Sequence, residues 1–317
     1  MSCSGSEAEA SENRSGIWTR LWESGPLHSC APGADLFTEP FWRQFFQAFT
    51  ASASLLDIGT GNGLIPLLAA RNLARVTRMC GIDSARIKPD IARYPELAAV
   101  EFRSGIDAER LPFADGCFNI ITSQFAVEYT DVSATLSELI RLIAPAGSIA
   151  LVMHAADSHI STVSRTQIDQ LVWVGRSGGF IDAASRMVHV LGARQTVVAA
   201  SDEHERVREH YNQCARALIQ RLEGAREGDV LARAAISVQR ALAEAARRPA
   251  NGEHAIAHLR LALEDEAARL HKQLEAACTS AQIDEVVCRL EGVGFAVETG
   301  DLHHAGKLMA RTLMARR

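Results

Sequence analysis

Between Leu55 and Gly63 the chain runs Leu-Leu-Asp-Ile-Gly-Thr-Gly-Asn-Gly, and no other stretch limits the available folds as much. Residues suited to a buried strand give way at once to glycines at every second position. Glycine takes positive φ without steric cost and lets the backbone approach a ligand closely. A helix follows directly, and its first turn leaves N–H groups free for a carboxylate or phosphate. Strand, tight turn and helix in this order belong to a parallel βαβ unit. The spacing is not the dinucleotide-binding G-x-G-x-x-G, because Leu64 stands where the third glycine would be.

The rest of the chain extends this pattern. Strands are expected at Leu55–Ile58, Val76–Ile82, Val100–Arg103, Phe118–Thr122 and Ile149–His154. A helix carrying Leu136, Leu139, Ile140 and Ile143 sits between the last two, started by Asp131 and stopped by Pro145 and Gly147. After His154 the alternation stops, and 155–277 is expected to be a helical insertion serving as lid, dimerisation surface or both. Its helices are expected near Ser161–Val174, Glu203–Glu223, Asp229–Arg247 and Glu253–Ala277. Gly178-Gly179, Gly228 and Pro249-Ala-Asn-Gly252 are taken as breaks. A capping-box start at Thr279-Ser-Ala-Gln282 opens a further helix, followed by strands Phe295–Thr299 and Lys307–Met314. The expected domains are therefore a core at 51–154 and 278–317 with its sheet interrupted once. It is preceded by an unstructured tail (1–15) and an aromatic helical cap (16–50). In the cap, Phe41, Phe45 and Phe49 repeat at helical spacing and suit packing on a sheet. The segment Trp18–Ser29, with Trp18, Trp22 and His28, is expected either to join the core or to close over a pocket.

Composition removes several classes of function. The chain has 33 Lys+Arg against 38 Asp+Glu, a net charge of −5, so bulk attraction to nucleic acid is not expected. Its apolar runs are strand-length, too short to span a membrane, and the first fifteen residues carry no basic-then-apolar signal. A soluble, cytoplasmic protein is the expectation. Seven scattered cysteines without a CxxC pair argue for reduced thiols and no structural zinc. His254 and His258 share a helix face but lack a third ligand, so no metal site is expected.

Asp83, about twenty residues past the glycines and at the end of the second strand, can accept both hydroxyls of a ribose. Asp107 lies beyond the third strand, where a carboxylate could accept from an adenine amino group. Asp57-Ile-Gly-Thr-Gly-Asn-Gly63, Asp83, Asp107-Ala-Glu-Arg-Leu-Pro-Phe113, Phe118–Ser123 and Ala144-Pro-Ala-Gly147 occur in the order seen in class I S-adenosylmethionine-dependent methyltransferases. The chain resembles that family over residues 50–154 and, less closely, 278–317. The nearest flavour is similar to the quinone-biosynthesis C-methyltransferases and their small-molecule relatives.

The resemblance implies an α/β Rossmann-like doubly wound sheet of about seven strands, with the helical insertion before the last helix-strand-strand unit. It implies S-adenosylmethionine as cofactor, S-adenosylhomocysteine as product and methyl transfer to a small-molecule acceptor. Asp57 would organise the methionyl amine over the backbone of Gly59, Thr60 and Gly61. Asp83, with Ser84, would hold the ribose, Asp107 and Ala108 would meet the adenine, and Ser123 and Gln124 would border the sulfonium. Glu128, Tyr129 and His154 are the acid–base and acceptor-contact candidates. Partners expected are the acceptor and a second subunit paired through the insertion, with no nucleic acid and no membrane. Ser123-Gln-Phe-Ala126 replaces the Asn/Asp-Pro-Pro-Tyr/Phe turn of enzymes that methylate nucleobase amines, which disfavours such acceptors, and arsenic methylation wants clustered cysteines. Two other readings stay open: a catalytically idle binding or assembly protein of the same fold, and a different use of the sulfonium such as aminopropyl transfer.

Overall fold

The computed structural model describes residues 16–29, 37–193, 201–222 and 229–317. The expected tail at 1–15 and the break at Gly228 lie outside the described residues. Residues 16–23 form α1, followed by α2 (Glu39–Gln47), β1 (Ala53–Ile58), α3 (Leu64–Asn72), β2 (Val76–Asp83), β3 (Glu101–Ser104) and β4 (Phe118–Gln124). Next come α4 (Val132–Leu142), β5 (Ile143–His154), α5 (His159–Gly175), α6 (Phe180–Ala193), α7 (Ser201–Leu222), α8 (Val230–Arg247) and α9 (Pro249–Ala276). The chain ends in α10 (Ser280–Glu291), β6 (Ala296–His304) and β7 (Lys307–Arg316).

The strands form one seven-stranded sheet in the order β3-β2-β1-β4-β5-β7-β6. β1 to β5 pair in parallel, whereas β7 runs antiparallel to both β5 and β6. This is the doubly wound α/β sheet expected. Successive side chains point to opposite faces, so Leu56, Ile121 and Leu151 enter a core with Leu136, Leu139 and Leu290. Leu55, Ile120 and Val152 enter the other, with Trp42, Phe46, Leu64 and Leu68. The aromatic repeat of α2 thus packs on the sheet: Trp42 and Phe46 are fully buried and Phe45 nearly so.

Two compact units result. One holds the described residues up to Thr162 and from Lys272 onward, including the whole sheet; the other is Val163–His271. The second unit is helical, with Phe180, Ile181, Val188, Leu231 and Val238 buried.

Three local expectations are corrected. Pro145 and Gly147 do not follow a loop; α4 ends at Leu142 and β5 begins at once. The strand carries them as a bulge, since Phe118 pairs with Ile143 but Ile120 with Ser148. Second, Gly178-Gly179 is a break as expected, between α5 and α6, but the helix after it was missed in the sequence: the Gly178 N–H donates to Asp182 Oδ2 at 2.7 Å, and α6 runs on from Phe180. Third, Pro249-Ala-Asn-Gly252 is the first turn of α9. Proline is tolerated there because that N–H lacks an intrahelical partner anyway. Gly252 lies so close to Ala245 of α8 that any Cβ would collide with it.

The capping box is present as read. Thr279 Oγ1 accepts from the Gln282 N–H at 3.3 Å, and Gln282 Oε1 accepts from the Thr279 N–H at 2.9 Å. Replacing Thr279 by alanine should cost about 0.5–2 kcal/mol in urea unfolding at neutral pH, a loss that Thr279→Ser should largely avoid.

Candidate active site

In doubly wound sheets ligands bind beyond the carboxyl ends of the strands, where the strand order reverses. Here β1 lies between β2 and β4 at that reversal. A cavity of about 430 Å³ opens there, entirely within the sheet-bearing unit. Gly59, Gly61 and Gly63 follow β1 with φ of 65°, 51° and 95°. The glycines at 59 and 61 are also sterically required. A Cβ on Gly59 would overlap the Ala126 side chain, and one on Gly61 would lie 2.6 Å from Trp22.

Asp83, at the end of β2, holds this turn. Its Oδ2 accepts the Gly61 N–H at 2.9 Å and its Oδ1 the Ala85 N–H at 2.8 Å. Burial pushes its carboxyl up to about 6, with those two donated bonds opposing the shift. Asp57 lies deeper, 1 % exposed, and Thr122 Oγ1 donates to its Oδ1 at 2.8 Å. Its Oδ2 is buried with no hydrogen-bond partner. Burial, and to a lesser degree the neighbouring charge of Asp83, raises its carboxyl to about 7, while the nearby Thr60 and Thr122 hydroxyls pull the other way.

The cavity brings together most of the residues singled out in the sequence. Gly59, Thr60, Asp83, Ser84, Asp107, Ala108 and Gln124 line it from the strand ends, and Glu128 and Tyr129 from the segment after β4. Four do not line it. Gly61 lies under Trp22, and Asp57 and Ser123 are buried behind the wall. His154, at the end of β5, is screened by Phe125, whose ring centre is 4.1 Å away. Glu128 has no exposed side-chain surface, so it meets the cavity through its backbone. Its Oε1 accepts both the His154 backbone N–H and ring Nδ1–H, each at 2.8 Å.

Residues 16–29 form an aromatic strap along one wall. Trp18 meets the edge of Tyr129 at 5.5 Å and stacks on Trp22 at 6.5 Å. Both tryptophans and His28 line the cavity. Burial lowers the His28 pKa.

Sequence reasoning missed three contributors. Trp42 Nε1 donates to Gln124 Oε1 at 2.7 Å, fixing a lining side chain from the α2 side. Phe125 lines the cavity with φ of 55°, a conformation unusual for a bulky side chain and without a sequence signal. Asn62, inside the glycine loop, is 2 % exposed and fully engaged in bonds to other segments. A polar residue amid turn glycines was the available signal. Among the described residues no cluster could hold a metal, His254 and His258 being exposed, and the cysteines are free. No described helix is long and apolar enough to cross a membrane.

Residues 56–151, covering the loop and the ends of β2, β3 and β4, match a family model described as Methyltransferase domain. The chain is 33% identical over 135 residues to a 2-phytyl-1,4-naphtoquinone methyltransferase of Thermosynechococcus vestitus, covering 41% of this chain and 55% of that protein. It is 24% identical over 208 residues to an arsenite methyltransferase of Halobacterium salinarum, covering 63% and 51%. It is 32% identical over 98 residues to a demethylmenaquinone methyltransferase of Chlorobaculum parvum, covering 29% and 37%. The chain thus spans about half, or less, of the curated relatives it matches.

The buried carboxyls make stability depend on pH with a definite sign. A folded-state pKa above the unfolded value stabilises the fold below the unfolded pKa, and that contribution is lost as pH rises through the folded value. The contribution of these two carboxyls to the stability of the ligand-free protein should therefore be lost from about pH 4 to pH 8. Asp57→Asn should be more stable than the parent at pH 8 by roughly 2–4 kcal/mol, at about 1.4 kcal/mol per pKa unit, and show little gain at pH 4. Urea unfolding at the two pH values measures this.

Proposed function

We propose that this chain, whose sheet carries a class I S-adenosylmethionine-dependent methyltransferase domain, transfers a methyl group to a small-molecule acceptor in the cavity at the sheet's carboxyl edge. The observation that carries the reading is the convergence at one edge of the left-handed glycine turn, Asp83 anchored to it, and Asp107. S-adenosylmethionine supplies an electrophilic methyl group on a sulfonium. The residues present fit such a ligand, since Asp57 Oδ2 is buried and unpartnered and the nearby wall is acidic.

In this reading Asp83 accepts from the ribose hydroxyls while continuing to hold Gly61 and Ala85. Asp57, behind the wall, would act on the methionyl ammonium through water, which compensates the carboxylate for its burial. Asp107 accepts from the adenine amino group, and the backbone of Ala108 lies beside the ring. Trp18, Trp22, Phe125 and Tyr129 exclude water from the reacting centre, and Gln124, held by Trp42, borders it. Glu128 and His154 support Phe125 and Tyr129 from behind. Positioning and desolvation then carry the rate, and orientation alone can contribute on the order of 7–11 kcal/mol. A quinone-like or other uncharged ring suits the aromatic wall and agrees with the quinone methyltransferases among the relatives. No described cysteine lines the cavity, which weighs against an acceptor held through thiolates.

Two measurements test this. Asp83→Ala should weaken S-adenosylhomocysteine binding by about 1.5–3 kcal/mol, the range for a hydrogen bond to a charged group; unchanged affinity in a folded variant would remove Asp83 from the ribose site. Labelled S-adenosylmethionine with a panel of phenols, quinols, amines and carboxylates should give a labelled product. Tight cofactor binding without turnover on any of them would favour the idle binding protein instead.

A further inference from the structure

We infer that Asn62 is a positioning residue that ties the aromatic strap to the cofactor-binding loop, so that strap and loop respond to a ligand as one body. The inference rests on the methyl-transfer reading for what the loop binds. Asn62 sits between Gly61 and Gly63, and its side chain reaches two other segments. Its Nδ2 donates to the carbonyl of Trp22 at 2.9 Å and to that of Pro26 at 2.8 Å. Its Oδ1 accepts the Lys88 N–H, past the end of β2, at 2.8 Å.

These partners leave no freedom in the assignment. Carbonyls only accept and a backbone N–H only donates, so the amide has one orientation and uses both donors and its acceptor. An aspartate would set carboxylate oxygen against two carbonyls, and an apolar residue would leave three backbone groups without this partner, one of them in a buried contact and two in part-buried ones. The strap has other anchors: Trp18 meets Tyr129 at 5.5 Å, and Leu27 packs against the core on the α2 side. Arg86 donates its N–H to Thr19 Oγ1 at 3.0 Å, and the Arg86–Glu23 ion pair is exposed and contributes little. Trp22 lies on Gly61, the residue whose N–H is held by Asp83. Asn62 therefore joins the strap to the loop one residue from the Asp83 contact, and a ligand that orders the loop orders the wall carrying Trp18 and His28.

The test uses the full-length chain with Asn62→Ala and with Asn62→Asp, which keeps the size and the acceptor for Lys88 but loses both donors, and serves alone if the alanine variant does not fold. Folding is read from far-ultraviolet circular dichroism. Trypsin cleavage at Arg20, followed by mass spectrometry in the ligand-free protein, should speed up at least tenfold, with a red shift of tryptophan emission. S-adenosylhomocysteine affinity by calorimetry should fall at least fivefold. In the parent chain the same ligand should slow cleavage at Arg20, and in the variants it should not. Unchanged cleavage in a folded variant overturns the inference. So does faster cleavage with unchanged affinity, because strap and loop would then be independent. Failure of the parent to bind S-adenosylhomocysteine would instead defeat the methyl-transfer reading, and the ligand-free cleavage rates would still decide whether Asn62 holds the strap.

Discussion

The carboxylate of Asp83 accepts two backbone N–H groups from two different loops, Gly61 after β1 and Ala85 after β2. Much of the site follows from that bridge. A turn with three alternate positive-φ glycines has little intrinsic preference for one shape, since glycine loses more conformational freedom on ordering than any other residue. Asp83 supplies the fixed point, and the Thr60 N–H, donating to the Ile82 carbonyl at 2.9 Å, adds a second tie to β2. With the turn fixed, Gly61 offers a flat surface to Trp22, and Asn62 faces the strap and Lys88. Gly59 lies under Ala126, which places the segment carrying Glu128 and Tyr129.

The arrangement stores unfavourable terms that a ligand can relieve. Asp57 and Asp83 are buried at one sheet edge with their carboxyls raised to about 7 and about 6. A fold selected for stability alone would place apolar residues there, as it does one strand position away at Leu56 and Ile82. Phe125 adds a left-handed backbone under a bulky ring, and such departures persist only where surrounding structure over-determines them. Here the Phe125 N–H donates to Val152 at 2.8 Å, and its ring is packed between Phe37 and His154. Acidity and strain are thus concentrated at the edge where the cavity opens. The helical unit shows no comparable concentration among its described residues.

The sequence by itself determined the architecture. Alternating short apolar runs and helices required a parallel sheet, the return of that pattern after 278 required one sheet interrupted once, and Thr279 with Gln282 marked the helix that resumes it. It also determined which carboxylates meet, because Asp57, Asp83 and Asp107 sit at or just past strand ends and parallel strands bring those ends to one edge. Gly178-Gly179 does mark a break, between α5 and α6, but the helix that follows it was not legible; Pro249–Gly252 looks like a break yet is the first turn of α9, where Gly252 needs close approach to Ala245.

Only the tertiary structure decided how far each candidate stands from the cavity. His154 and Tyr129 were equal in the sequence, yet Phe125 screens one and leaves the other in the wall. Glu128 lies on the right segment but turns its carboxylate to His154, a pairing twenty-six residues apart that no local pattern encodes. The strap's position was open between core and cover, because the aromatic content of residues 16–29 shows that they pack but not against what. In the fold the strap is bonded through Asn62, whose three partners come from two distant segments. Spacing along a chain fixes which strand end a residue occupies; the direction its side chain takes depends on partners that only folding brings near.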